Sequence, residues 1–467
     1  MKRTTIILIL TFMVNVMFAQ TDNYKNAIEN FQTNYNTEKY EDIFKSFSPE
    51  MKKALPFDKT KQFLTNLKIQ VGKIEKTEFV GYQKGTYATY KTNFEKVVFA
   101  VNISLDSQNL INGLFIKSYE EPKNSESNVT NTLSSYPNEI AEIIFKKTKD
   151  FPNNTKLSIA VIQNGETNYY GIIKENDTIK PNENKNKIFE IGSITKVFTS
   201  TVFASLVEDE KLKLTDEINY YYSFPIKNNI KINFESLANH TSGLPRLPEN
   251  LDLSNKTNPY KNYGKKEIEE YLKNLLKLEN EPSKIYSYSN LGAGILGYTL
   301  GLSRKTSFKK LLQKRVFDKY KMTNSYTSSQ NLDKRLIEGL DENGEVVSNW
   351  DYDVLFGGGG ILSSAEDLVK FVNAQFNPKN KELSLTRKPT FDINEGMKIG
   401  LGWHILKTEN GFNWVWHNGG TGGYSSSMVL DTENKNCVII LSNVSAFNPK
   451  MENIDKLCFE LMKNIEK

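Results

Sequence analysis

The sequence predicts two domains of mixed α/β (α+β) class, the larger one an antiparallel sheet flanked by helices. Three observations carry this. The chain has 467 residues, more than one small domain needs. Between Thr77 and Lys117, four short β-branched and aromatic runs follow two helical patterns, as in a self-contained unit of helices followed by an antiparallel sheet. From residue 135 onward a hairpin comes early, strand-like runs come late and helices lie between. One sheet must therefore join both ends of the larger domain, leaving an all-helical subdomain in the middle.

The elements follow in chain order. Residues 1–19 read as a secretory signal: Lys2 and Arg3, the apolar run Ile6 to Met13, and Ala19 before Gln20. The apolar core is too short to span a bilayer, and no later run spans one. An exported protein is expected, periplasmic or secreted and without a membrane span after cleavage, the alternative being an uncleaved anchor. Residues 21–118 form the small α+β accessory domain, with helices at Asn23–Asn34 and Thr37–Phe47. Its strands are expected at Thr77–Tyr82, Thr86–Phe94, Lys96–Ile103 and Leu110–Lys117. Residues 119–134 are polar and read as a linker.

The larger domain, 135–467, opens with a helix at Pro137–Lys149. A hairpin follows, Lys156–Gln163 turning at Asn164-Gly165 into Thr167–Ile173. Next, Ile194, Val197, Phe198, Thr201, Val202, Ser205 and Leu206 recur at helical spacing and predict a helix with one buried stripe. Further helices are expected at Lys265–Leu278, Gly292–Gly301, Ser307–Phe317 and Ser364–Phe376. Strands at Gly402–Leu406, Phe412–Trp416, Tyr424–Leu430 and Cys437–Ser442 precede a last helix, Lys450–Ile465.

Composition narrows the function. The net charge of +5 is spread over mixed acids and bases with no basic block, which speaks against nucleic acid. The run Gly357–Gly360 lacks the Gly-Lys-Ser/Thr ending of a phosphate loop. Cys437 and Cys458 read as buried free thiols, with a disulfide left open. His240, His404 and His417 show no metal-ligand spacing, and neither a metal nor another cofactor is expected. No feature fixes an oligomeric state.

The chemistry centres on Ser193-Ile-Thr-Lys196. One helical turn puts both side chains on one face. A lysine partly desolvated beside a serine can take its proton, and the helix N-terminus offers N–H groups to a developing oxyanion. A second copy, Ser307-Phe-Lys-Lys310, reads as a helix cap with a solvated lysine. Tyr288-Ser-Asn290 stands on a loop ahead of a glycine-rich helix, where a phenol can relay a proton and an amide can bind an acyl group. In Trp416-His417-Asn418-Gly419-Gly420, a strand edge with glycine lets a substrate backbone approach and offers an N–H.

In this order, Ser193-x-x-Lys196, Tyr288-x-Asn290 and His417-x-Gly419 resemble the serine β-lactamase-related hydrolases. Class C β-lactamases, D-alanyl-D-alanine carboxypeptidases, D-aminopeptidases and family VIII esterases belong to that family. Flanking stretches agree: His240-Thr-Ser-Gly-Leu-Pro245, Gly358-Gly-Gly-Ile-Leu-Ser-Ser364 with Asp367, and Gly400-Leu-Gly-Trp403. The resemblance covers about residues 135–467 and implies the β-lactamase/transpeptidase-like fold. It also implies Ser193 as nucleophile, Lys196 as its base and Tyr288 as proton shuttle. Asn290, His417, Gly419 and Gly420 would bind substrate, with the N–H groups of Ser193 and Gly420 as the oxyanion hole. The implied partner is a small-molecule or peptide acyl substrate, an ester or amide. His417 stands where β-lactamases carry a lysine, and a neutral histidine pairs less well with a substrate carboxylate. The competing reading is a penicillin-binding receptor that is acylated, or merely binds, with little turnover.

Overall fold

The computed structural model describes residues 23–83, 87–119, 129–255 and 257–466. The expected signal lies outside these residues. The chain divides into two compact units, Met1–Glu126 and Ser127–Lys467.

In the first unit, helices 23–36, Tyr40–Lys45, Pro49–Ala54 and Phe57–Val71 precede an antiparallel sheet. Its strands Ile74–Gln83, Tyr87–Phe94, Val98–Leu105 and Ile111–Ser118 pair in chain order. The sequence expectation lacks the helix Phe57–Val71, because Lys, Gln, Asn and Thr dilute its apolar residues. Its buried stripe is nevertheless helical in spacing: Thr60, Leu64, Leu67 and Val71. Leu64 packs with Ile28, Phe31 and Tyr35 against Tyr90, Val101 and Ile103 of the sheet.

The second unit is built on one large sheet. Its order from one edge is Phe391–Asn394, Met397–Ile399, His404–Lys407, Asn413–Gly420, Ser425–Asp431, Asn436–Ser442, Lys156–Gln163, Ile172–Glu175, Thr178–Pro181 and Thr130–Asn131, with Glu166–Tyr169 also paired to Lys156–Gln163. The register Cys437↔Ile162 to Ser442↔Leu157 sews the early hairpin to the last strand. The early and late parts of the chain do share one sheet.

Three expectations change in detail. Thr130 and Asn131 pair in parallel with Thr178 and Ile179, so the end of the expected linker 119–134 belongs to the sheet. The second arm of the hairpin breaks at Tyr170-Gly171 into the strands Glu166–Tyr169 and Ile172–Glu175. The hairpin Phe391–Asn394 and Met397–Ile399 is an addition at the sheet edge.

Side chains of the strand Asn436–Ser442 alternate between two cores. Val438 and Ile440 meet Ile140, Ile144, Leu457 and Leu461 from the helices Asn138–Thr148 and Glu452–Ile465. Cys437, Ile439 and Leu441 join the opposite core, with Val197, Phe198 and Leu401. Cys458 packs in the first of these cores, and both thiols are buried and free.

The helix Thr195–Glu208 lies in the opposite core. Every residue from Thr195 to Leu206 is buried, so the expected single buried stripe is replaced by burial all round. Its small polar residues tolerate this by bonding backbone carbonyls. Thr199 donates to Thr195 and Gly357, Thr201 to Val197, and Ser205 to Val202.

Candidate active site

Ser193 sits in the tight turn Gly192–Ile194 that leads into this buried helix. The turn needs glycine: Gly192 has φ +50, and a Cβ there would lie 2.5 Å from the Gly420 nitrogen. From the other side, a Cβ on Gly419 would lie 2.1 Å from the Ile191 oxygen and 2.8 Å from the Ser193 nitrogen. The end of the strand Asn413–Gly420 thus lies backbone to backbone against the Ser193 turn, and the nitrogens of Ser193 and Gly420 flank the contact. Ser426, opposite Gly419 in the sheet, donates its hydroxyl to the Ile191 carbonyl at 2.9 Å and ties the two together.

Lys196 is 2% exposed. Its Nζ lies 2.9 Å from Ser193 Oγ, 2.8 Å from Asn290 Oδ1 and 2.7 Å from the Gly358 carbonyl. No carboxylate pairs with it among the described residues. Burial pushes its pKa well below the ordinary lysine value, and the charge of Arg246 pushes the same way. A neutral amine has two N–H donors and one lone pair. Asn290 Oδ1 and the Gly358 carbonyl can only accept, so they take both donors. The lone pair then faces the Ser193 hydroxyl.

Tyr288 covers this group, its ring centroid 4.8 Å from Lys196 Nζ. Burial raises the phenol's pKa, and the nearby Ser193 hydroxyl opposes this in part. The loop bearing it is fixed by the segment that starts at His240. His240, at φ +60, accepts from the Ser289 N–H at Nδ1 (3.3 Å), and its ring lies 4.5 Å from that of Tyr288. The Arg246 carbonyl accepts from the N–H groups of Asn290 and Leu291 at 3.0 and 3.1 Å. Ser289 caps the helix Asn290–Ser303 through the Gly292 N–H. Asn290 therefore does not stand free to meet an acyl group with its oxygen, because Lys196 holds that oxygen.

His240 and His417 flank the Tyr288 ring, and His404 stands beside His417 and Tyr286. His417 stands with its ring centroid 6.3 Å from that of Tyr288 and 5.4 Å from that of His404. Tyr286 bonds His404 Nε2 at 2.9 Å. His417 is 1% exposed, and burial first, then the nearness of His404 and Lys196, holds its pKa well below the ordinary value. Its Nδ1 lies 2.6 Å from the Asn418 carbonyl. A carbonyl only accepts, so Nδ1 carries the proton and Nε2 keeps a lone pair, which has no hydrogen-bond partner. Asp455 anchors the Asn418 side chain at 2.7 Å.

The sequence-expected residues Ser193, Lys196, Tyr288, Asn290, His417, Gly419 and Gly420 all come together here. Sequence reasoning missed others. The Gly357–Gly360 run supplies the Gly358 carbonyl to Lys196. Tyr260, Trp350 and Tyr352 line a small pocket with Ser193, Asn290 and Gly420. They come from the loops Arg246 to Tyr263 and Ser325 to Asp353, where the sequence places specificity but offers no code that marks a single residue. Glu190, 5% exposed, holds that wall by accepting from Asn349 Nδ2 and the Trp350 N–H, each at 2.8 Å.

The second Ser-x-x-Lys copy behaves as expected of a cap. Ser307 accepts from the Lys310 backbone N–H at 3.3 Å at the start of the helix Phe308–Leu312.

Comparison with known proteins gives the family and the fold. The model of the Beta-lactamase family matches residues 150–460, and one described as a protein of unknown function (DUF3887) matches residues 29–114. A Beta-lactamase of Pseudomonas fluorescens is 28% identical over 261 residues, covering 53% of this chain and 69% of that protein. Protein flp of Staphylococcus aureus (strain MRSA252) is 24% identical over 317 residues, 63% of this chain and 60% of its own length. Among solved structures, a beta-lactamase/D-alanine carboxypeptidase from Pseudomonas syringae superposes with a TM-score of 0.59 at 22% identity, over 70% of this chain and 98% of that one. A D-alanine carboxypeptidase AmpC from Burkholderia cenocepacia gives 0.58 at 18% identity, over 70% and 98%. These likenesses fix the fold of the second unit as β-lactamase/transpeptidase-like. With residues 150–460 matched, more than half of its length, the chain belongs to the beta-lactamase family and is a serine hydrolase.

Proposed function

We propose that this hydrolase cleaves esters or amides through an acyl-enzyme on Ser193, with D-amino-acid peptides and cell-wall fragments among its substrates. One observation carries the reading: Asn290 Oδ1 and the Gly358 carbonyl, which can only accept, take two of the three contacts of Lys196 Nζ and leave the third to Ser193 Oγ. Lys196 takes the Ser193 proton as Oγ bonds the substrate carbonyl carbon. The N–H groups of Ser193 and Gly420 stabilise the oxyanion. Tyr288 gives a proton to the departing oxygen or nitrogen and recovers one from Lys196. Water then attacks the ester by the reverse route and frees Ser193. Asn290 positions Lys196 and meets substrate only with its amide nitrogen.

The reading includes export, supported by Lys2, Arg3 and the apolar run Ile6 to Met13. Cell fractionation with mass analysis of the mature N-terminus tests it: protein beginning at Gln20 outside the cytoplasm agrees, and full-length cytoplasmic protein refutes it.

The catalytic part is tested with wild type and Ser193→Ala on a panel of p-nitrophenyl esters, D-aminoacyl amides and penicillin. Turnover lost in the variant supports the reading. Full activity of the variant on every substrate refutes it, and a lasting adduct without turnover assigns a receptor instead.

A further inference from the structure

We propose that Arg246 is the residue by which this site recognises a carboxylate on its substrate, near the group that leaves past Tyr288. The proposal rests on the reading of Ser193 as the acylated nucleophile. It starts from a deficit. Lys196 is buried, and its nitrogen is fully engaged with Ser193, Asn290 and Gly358, so it has no free donor to offer a ligand. His417 is buried and presents a lone pair at Nε2, which repels an anion.

Arg246 supplies what both lack. Its guanidinium carbon lies 5.3 Å from the Tyr288 ring centroid, on the ring that also faces Lys196. The side chain is exposed, and no carboxylate pairs with it among the described residues. Its backbone is not free to drift, because its carbonyl holds the N–H groups of Asn290 and Leu291. Its charge is felt by Lys196, His240, Tyr260, Tyr286 and Tyr288, all in or beside the site. A guanidinium laid on an aromatic face is weakly hydrated and keeps its fork of donors for a carboxylate, with bidentate geometry available. An arginine that only covered the tyrosine would do none of this selectively.

The experiment uses the full chain and two thioesters differing in one charge: N-benzoyl-D-alanyl thioglycolate and its methyl ester. The readout is the ratio of kcat/KM for the carboxylate over that for the methyl ester. Arg246→Ala should lower this ratio about 10- to 100-fold, the range of one charge-assisted hydrogen-bonded contact. Arg246→Lys should restore part of it, since it keeps the charge and loses the fork. Added salt should lower the wild-type ratio. An equal loss for both substrates overturns the proposal, as does a wild type that reacts no faster with the carboxylate than with the ester. Ser193→Ala is run beside them: persistent turnover of either thioester would refute the acyl-enzyme reading itself, a result separable from any charge preference.

Discussion

The chain carries the same four-residue pattern twice, and only one copy is built for chemistry. At Ser307 and Lys310 both side chains are exposed, and the serine oxygen faces the backbone N–H of its own lysine residue. At Ser193 and Lys196 the lysine is buried, and its nitrogen faces the serine. The difference lies outside the motif. Asn290 and Gly358 are 94 and 162 residues beyond Lys196, and they alone orient its nitrogen. A sequence pattern states which atoms are available; burial and distant acceptors decide what they do.

The largest contrast is in rate. Ser193→Ala or Lys196→Met should cost acyl turnover on the order of 10⁴-fold or more, while Lys310→Met should leave it within the error of a steady-state assay. Comparable losses at both copies would erase the distinction. Because the base must be neutral, kcat/KM should rise with pH through the depressed pKa of Lys196 and then level. A profile falling across that range contradicts the assignment.

Next comes Gly192→Ala. The added carbon meets the Gly420 nitrogen and displaces one wall of the oxyanion site, so kcat should fall roughly 10²- to 10³-fold with the fold intact by circular dichroism. Tyr288→Phe should cost about 10²-fold on amides, whose leaving nitrogen needs a proton, and much less on p-nitrophenyl esters. Equal losses on both would mean that the phenol does not serve the leaving group.

Smaller still is a pH effect on stability at the strand preceding Ser193. Burial raises the Glu190 carboxyl from its ordinary 4.5 to about 7, against opposing bonds from Asn349 and Trp350. Folding thus favours the protonated form. Its stabilisation is complete below about pH 4.5 and is lost as pH rises through about 7, roughly 3 kcal/mol in all. Glu190→Gln should flatten that part of the Tm-against-pH curve. An unchanged slope would show that other groups cause it. The smallest effect belongs to the second copy: Ser307→Ala removes a cap and should cost about 1 kcal/mol in denaturant titration, with no change in rate.

Much of this site was legible because its key residues are local. Ser193 and Lys196 are one turn apart, and Tyr288 with Asn290 and His417 with Gly419 are two residues apart, so short-range geometry defines each piece. The sheet was legible in outline for a related reason: the strand Asn436–Ser442 is apolar on both faces, as a central strand must be. What stayed hidden is non-local. The Gly358 carbonyl has no side chain to read, and Arg246 looks like any loop arginine until its ring partner is known. Tyr260, Trp350 and Tyr352 gain meaning only by converging on Ser193. The helix Thr195–Glu208 shows the same limit, since the periodic stripe predicted one buried face and the fold buries the helix all round.

The central claim is tested most directly by trapping the intermediate. Wild type mixed with a slowly released ester, quenched in acid within the first turnovers and digested, should carry the acyl group on the peptide containing Ser193, and Lys196→Met should show no such mass. An adduct on any other residue, or rapid hydrolysis without an adduct in wild type and Ser193→Ala alike, would contradict the account.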